Sequence, residues 1–338
     1  MFILHNYSAA VICCVVTMLC WGSWANTQKL AASTWRFELF YWDYVVGILL
    51  FSLVLALTLG SMGSGGRSFL PDLSQASGEN IGSAIVGGII FNAANILLGA
   101  AIAIAGMAVA FPVGIGLALV IGVVVNYIAH PVGKAGLLAG GVALIVVAIL
   151  LNAFAYRKMQ AGKRTSSGKG QTSNRGLTLA VAAGILMGFF YKYVAASMFS
   201  DFEVPEPGKL GPYTAVVIFS AGILISNVVF NTLLMRRPFV GAPVSYAAYF
   251  RGGFRDHITG ILGGSVWCLG MSFSIIASGK AGAAISYGLG QGATIVAALW
   301  GIFIWKEFRG APKGTPAVLG GMLIFYLVGL GLLVYAGA

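Results

Sequence analysis

The chain has 338 residues, of which 59% are hydrophobic and only 9% charged, with a mean hydropathy of +0.91. Soluble domains carry roughly a quarter of charged residues, so this composition excludes a soluble enzyme or a soluble repeat array and requires lipid as solvent. The formal net charge of +11 is then read against an anionic membrane surface, and no nucleic-acid partner is expected.

A helix needs about 20 predominantly apolar residues to cross a hydrocarbon core about 30 Å thick. Ten segments meet that requirement, at residues 7–28, 38–60, 81–104, 107–129, 133–154, 177–200, 212–235, 258–278, 281–305 and 315–336. The first ends in Ser23-Trp24-Ala25, which resembles a signal-peptide cleavage site. No Lys or Arg precedes its apolar run, and the repeat described below needs the helix, so it is read as a retained span. The third and fourth segments, and the eighth and ninth, are joined so closely that each pair forms a tight hairpin. Cys13, Cys14, Cys20 and Cys268 lie inside apolar segments without metal-ligand spacing and read as packing residues. No disulfide, metal or cofactor is expected.

Of the 20 Lys and Arg, fifteen fall in loops on one side, including the run after the fifth segment. Arg67, Lys134, Lys209 and Lys280 fall on the other side, and Lys192 lies inside a segment. Cytoplasmic loops carry an excess of Lys and Arg, which places the central basic loop in the cytoplasm and both termini outside a cell membrane.

Residues 87–126 recur, in weakened form, 176 positions later. Gly87-Gly88 fall on Gly263-Gly264, Phe91 on Trp267, and Gly106, Ala108, Phe111, Gly114 and Gly116 on Gly282, Ala284, Tyr287, Gly290 and Gly292. At other offsets Gly22 and Asn26 match Gly188 and Lys192, and Gly140-Gly141 match Gly320-Gly321. The expected architecture is therefore an all-α membrane protein of ten transmembrane helices, arranged as two five-helix repeats at residues 1–155 and 177–338. An odd number of crossings per copy makes the repeats inverted, and in such proteins the solute site lies between them. Residues 156–176 read as a polar, flexible, basic linker. The linker holds no phosphate loop, because Gly170 follows Lys169 where Ser or Thr should stand and no strand precedes, so no nucleotide is expected. Pro112, Gly114, Gly116, Gly288, Gly290 and Gly292 soften the two hairpins that should line the repeat interface.

Ten spans in two inverted halves resemble the drug/metabolite transporter superfamily. Tyr41-Trp42-Asp43-Tyr44 followed by Ala56-Leu57-Thr58-Leu59-Gly60, and Trp300-Gly301-Ile302 with Glu307-Phe308-Arg309, are similar to the second and ninth spans of ureide permeases. Trp21-Gly22-Ser23-Trp24 is also similar to glucose/ribose porters and rhamnose-proton symporters. The resemblance implies a transporter of a small polar metabolite, with Asp43 at the family's aspartate. Plant ureide permeases carry a long central loop with a phosphate-loop-like motif, and the short linker here departs from that pattern.

Polar groups inside lipid are expensive, so those facing a cavity are the candidates for solute binding. Trp21, Trp24 and Gln28 share a face of the first segment, and Trp267 stands at the position equivalent to Phe91. Their rings offer a stacking wall to a flat ureide or nucleobase or to the C–H face of a sugar; the alternative is an interfacial aromatic belt. Asn92 and Asn95 share a face of the third segment, either for solute or for interhelical bonding. Tyr287 and Gln291 lie one turn apart opposite the apolar Phe111 and Ile115 of the other copy, a difference that an asymmetric site or plain drift would both give. Lys192 either meets solute oxygens and takes part in coupling, or snorkels to the interface. Asp43 is a proton-coupling carboxylate or a helix-start charge offset by Arg36. Asn227, Asn231, Glu38 and Glu307 read as structural.

The expectation is a secondary active transporter for uptake of a small, neutral, polar metabolite of the ureide or nucleobase type, with protons as the coupling partner. A monosaccharide-proton symporter is the alternative. A drug or cation exporter would need a membrane-embedded Glu in the first or sixth segment, and neither has one. No clustered catalytic set supports an enzyme.

Overall fold

The protein's computed structural model describes residues 1–31, 35–105, 107–163 and 174–338. Every regular element among the described residues is helical, and the one extended contact is an isolated bridge between Met198 and Leu210. The first apolar segment forms α1 (Tyr7–Ser23) and α2 (Ala25–Ala31), followed by α3 (Phe37–Leu57), a short α4 (Phe69–Gln75), α5 (Gly78–Ala105), α6 (Met107–Ala129) and α7 (Ala135–Lys163). The second part contains α8 (Asn174–Ser197), α9 (Pro212–Arg236), a short α10 (Tyr246–Phe250) and α11 (Phe254–Ala281). It closes with α12 (Ala283–Gly290), α13 (Ala293–Leu299), a π-helical turn (Trp300–Ile304) and α14 (Thr315–Ala336).

Nine of these helical segments are long and apolar enough to cross a membrane, counted among the described residues. The remaining predicted span is α6, whose apolar stretch Val113–Ala129 is shorter. Large side chains such as Ile12, Leu50, Phe154, Ile225 and Leu327 are exposed on the outer surfaces of these helices. That distribution suits hydrocarbon and not water, and the chain is a multi-pass membrane protein.

Two predicted spans are interrupted in their hydrogen bonding, while the backbone stays right-handed helical at Trp24, Gln291 and Gly292. At Trp24 the side chains of Asn26 and Thr27 donate to the carbonyls of Ser23 and Trp24, at 2.9 and 2.8 Å, and divide α1 from α2. At Gln291-Gly292 the Gly292 N–H turns to the Leu289 carbonyl at 2.9 Å, and Thr294 Oγ1 takes the Gln291 carbonyl at 3.0 Å. The breaks adjoin: a Cβ on Gly22 would lie 2.5 Å from the Ala293 carbonyl oxygen, and one on Gly290 would lie 2.9 Å from the Trp21 ring. The linker expectation also needs correction at its start. Residues 156–163 belong to α7, because buried Ala155 and Met159 keep that helix packed and Tyr156 donates to Glu307 Oε2 at 2.6 Å. Residues 164–173 of the expected linker lie outside the described residues.

Helix packing follows one pattern twice. The helix α5 lies against α8 and α9, as α11 lies against α1 and α3; α6 packs on α8, as α12 and α13 pack on α1. The pairs α3 with α9, and α7 with α14, join the halves. Glycines set these distances. Gly88 lies against the Phe219 carbonyl of α9, and Gly264, its sequence counterpart, against the Tyr44 carbonyl of α3, with no room for a side chain at either. Gly188 of α8 abuts Ile121 of α6 just as Gly22 of α1 abuts Val296 of α13. Between these contacts sits an aromatic cluster built of counterparts. Trp24 meets Tyr44 at 4.7 Å and Phe190 meets Phe219 at 5.8 Å, while Phe91 and Trp267 face each other at 4.4 Å between ring centroids.

Without a hydrophobic drive between helices in lipid, close backbone approach supplies the association. Gly264→Val is therefore expected to cost about 1–3 kcal/mol or prevent folding. Gly320→Ala, where a Cβ meets nothing within 4 Å, is expected to leave stability unchanged or slightly raised. Thermal denaturation of the two variants in detergent checks the contrast.

Candidate functional site

A cavity of about 760 Å³ lies where the two broken spans meet α5, α7, α8, α11 and α14. That volume falls in the range of small-molecule sites. Its apolar wall includes Trp21, Phe91, Phe190 and Trp267, with Trp21 and Trp267 stacked at 5.8 Å and 11° between ring planes. The Trp21 indole N–H donates to the Trp267 carbonyl at 3.2 Å, which fixes the wall. Polar lining comes from Asn95, Asn152, Gln291, Thr294 and Tyr326. The Tyr326 hydroxyl donates to Thr294 Oγ1 at 2.6 Å.

The charged side chains lining the cavity are Lys29, Arg36, Glu38 and Glu307, all at its open end and all paired. Lys29 Nζ lies 2.7 Å from Glu307 Oε1 and 4.2 Å from the Trp305 ring centroid, and Arg36 lies 2.6 Å from Glu38. The indoles of Trp300 and Trp305 donate to Ser23 and Asn26, at 2.8 and 2.6 Å, tying the π-helical turn to the break in the first span. The walls deeper in are thus neutral, with the carboxamides of Asn95, Asn152 and Gln291 and the hydroxyls of Thr294 and Tyr326 as their hydrogen-bonding groups.

The opposite end is closed. One to two helical turns beyond the lining residues Trp21, Met187, Trp267 and Gln291 lie Cys14, Tyr191, Ser274, Ser286 and Tyr287, all fully buried. Tyr191 donates to the Ser274 carbonyl at 3.1 Å, Ser286 to the same carbonyl at 2.6 Å, and Cys14 Sγ to Ser286 Oγ at 3.7 Å. The Tyr287 hydroxyl reaches the carbonyls of Ala118 and Met187 at 3.2 and 3.1 Å. Five helices, α1, α6, α8, α11 and α12, are tied together by this layer.

Six of the predicted binding residues line the cavity: Trp21, Trp24, Gln28, Asn95, Trp267 and Gln291. Three do not. Asn92 is fully buried beside it, accepting from the Tyr41 hydroxyl at 2.9 Å and donating to Ser226 at 2.9 Å. It ties α3, α5 and α9, while Asn95, on the same face, donates to Tyr41 at 3.1 Å from the cavity side. Tyr287 belongs to the closing layer. Lys192 is exposed on α8, because Met187 and Phe190 take the cavity-facing positions and successive residues rotate by about 100°. It lies five residues from the helix end.

Asp43 also lies outside the cavity wall. It is 2% exposed and is held by three groups: Trp35 Nε1 at 3.1 Å, the Tyr249 hydroxyl at 2.6 Å and His257 Nδ1 at 2.9 Å. Burial and the adjacent Asp43 carboxylate raise the pKa of the Tyr249 phenol, keeping it a donor. The cluster pins the segment between α9 and α11 onto α3, and Arg36 reaches the Val240 and Ala242 carbonyls of that same segment. Phe239 and Val240 in turn line the cavity mouth. Sequence reasoning did not find His257, Tyr249, Asn152, Thr294 or Tyr326, which sit on five different elements and share no spacing. Glu38 and Glu307 are paired as expected, and Asn231 donates to the Glu38 carbonyl at 2.8 Å.

The amide of Gln291 makes no side-chain hydrogen bond among the described residues although the residue is 7% exposed. Gln291→Leu is expected to raise KM for the transported solute about tenfold, the value of one hydrogen bond. Lys192→Ala is expected to leave it within about twofold, as for a surface site. The concentration dependence of uptake measures both.

Comparison with known proteins agrees with this architecture. A family model described as ureide permease matches residues 40–175 and 160–336. The chain is similar to ureide permease 1 of Arabidopsis thaliana, 22% identical over 98% of this chain and 98% of that protein. Ureide permease 4 of the same plant is 23% identical, with 98% of each covered. A solved crystal structure, 16% identical, matches with a TM-score of 0.58 over 97% of this chain and 96% of the other, which shows the fold alone. The chain belongs to the ureide permease family and is a membrane transporter, not an enzyme.

Proposed function

We propose that the protein takes up a small, neutral, planar solute of the ureide or nucleobase type by alternating access, in symport with protons. The wall chemistry carries this reading: flat indoles and amides line a cavity whose charges are confined to its mouth and paired. An ionic solute would find no counter-charge at depth, and burying an unpaired charge is costly. A solute with alternating N–H and C=O groups in one plane finds rings to stack on and carboxamides to bond. The names of the plant relatives point to the same class. The Trp21 and Trp267 wall would also accept the C–H face of a monosaccharide, which is the second reading.

On this reading residues 1–155 and 177–338 are two inverted five-helix halves, ten spans in all, joined by residues 156–176. The repeated packing pattern and the aromatic counterparts support it. The excess of Lys and Arg at the open end makes that end cytoplasmic, with both termini outside the cell membrane. The cavity is then open inward, and the layer containing Tyr191, Ser286 and Tyr287 is its outer gate. Asp43 carries the coupling proton. Its protonation would weaken the hold of Trp35, Tyr249 and His257 and release the segment that bears Phe239 and Val240 at the mouth, so that proton binding and cavity access change together.

Proteoliposomes offered labelled ureides, nucleobases and sugars, with and without an inward proton gradient, test this directly. The expected result is gradient-driven accumulation of a ureide or nucleobase. Asp43→Asn is expected to keep solute exchange and lose accumulation. Undiminished accumulation in that variant would remove Asp43 from coupling, and a preference for sugars would select the second reading.

A further inference from the structure

One lining residue has polar character that the fold does not use. Asn152 lies in the middle of α7, a helix of otherwise apolar span composition, and its side chain lines the cavity. Its Oδ1 is buried without a hydrogen-bond partner. No hydrogen bond to its Nδ2 is formed among the described residues either, and that end is not among the occluded, unpaired atoms. Rotation of the carboxamide exchanges its two ends, so one end always faces the cavity side and neither is committed to the protein. An unpaired amide in a membrane interior lowers stability, and a leucine would fill the same volume at no such cost. At the offset that matches Gly140-Gly141 with Gly320-Gly321, the counterpart of Asn152 is Leu332. The polar group thus stands in one half only, as Gln291 stands opposite Ile115, and an asymmetric solute site calls for polar groups placed in this way.

We propose that Asn152 is a solute-contacting, specificity-determining residue whose carboxamide bonds a carbonyl or N–H edge of the solute. This rests on the reading of the cavity as the transport site. The residue sits one turn from Tyr156, which donates to Glu307 at the mouth. Asn95 on α5, Asn152 on α7 and Gln291 after α12 line the same cavity and give it donors and acceptors from three different elements.

The test uses the full-length protein in proteoliposomes and analogues of whichever solute the wild type transports, each lacking one carbonyl or carrying one N-methyl group. In the wild type at least one analogue is expected to show a KM about tenfold above the parent. In Asn152→Leu the parent and that analogue are expected to be transported with KM values within about twofold of each other, and Asn152→Gln to restore part of the discrimination. In the absence of solute, Asn152→Leu is expected to melt at or above the wild-type temperature, since an unpaired amide is removed. The same KM ratio in wild type and Asn152→Leu for every analogue would overturn the proposal. So would a lowered melting temperature with discrimination retained, which marks a structural amide. If the wild type transports no ureide or nucleobase, the functional reading fails, and the Asn152 comparison is decided on analogues of the solute that is transported.

Discussion

The structure depends on backbone meeting backbone at paired glycines. Gly88 on the Phe219 carbonyl and Gly264 on the Tyr44 carbonyl bring α5 to α9 and α11 to α3 with nothing between them. In lipid the tails are as apolar as the side chains, so dispersion across such close contacts replaces the hydrophobic effect as the source of helix association. The two glycine pairs match in the sequence recurrence, and their contacts flank the point where Phe91 and Trp267 meet. Tight packing on both flanks fixes the aromatic wall and leaves the space in front of it, where the broken spans cannot close ranks, as a cavity.

The cavity's two ends differ in how they are held. At the basic end, ion pairs and indole hydrogen bonds link α2, α3, the π-helical turn and the Glu307 loop, with side chains such as Lys29 and Glu307 partly exposed. At the other end, the Cys14 thiol of α1 and buried hydroxyls and carbonyls from α6, α8, α11 and α12 bond one another directly. Hydrogen bonds of this kind are modest individually and exchangeable, which suits the gate proposed for this layer. The Asp43 cluster lies off the cavity and touches its mouth only through the segment that it anchors. The proposed coupling role of that carboxylate therefore rests on its burial among Trp35, Tyr249 and His257 and not on contact with solute.

Much of the fold was legible because hydropathy and glycine recurrence are local signals. The tenth segment was placed at its observed ends, the fourth likewise, and most others within a few residues. The glycines were read as softening both hairpins alike, and only the structure shows the interruption at Gln291-Gly292 while α6 runs on through Gly114 and Gly116. What the sequence could not supply was helix rotation. It put Lys192 and Asn92 in the site along with Asn95, and only the structure shows α8 turning Lys192 outward and Tyr41 drawing Asn92 into a structural bond. Asn152, Thr294 and Tyr326 were invisible for the converse reason: a single polar residue in an apolar helix carries no sign of which face it is on. The partners of Asp43 come from a short helix and the start of α11, and no spacing connects Tyr249 or His257 to it.

The central claim is that the cavity's two ends open in turn, with the buried layer as the gate remote from the basic end. Cys14, fully buried in that layer, measures it most directly. In a protein with Cys13, Cys20 and Cys268 replaced by alanine, a membrane-impermeant thiol reagent is applied to the face opposite the basic loops, and the rate of Cys14 modification is followed. The account predicts slow modification at rest and a rate that rises during transport of solute. A rate unaffected by solute, or modification reached only from the basic side, would contradict it.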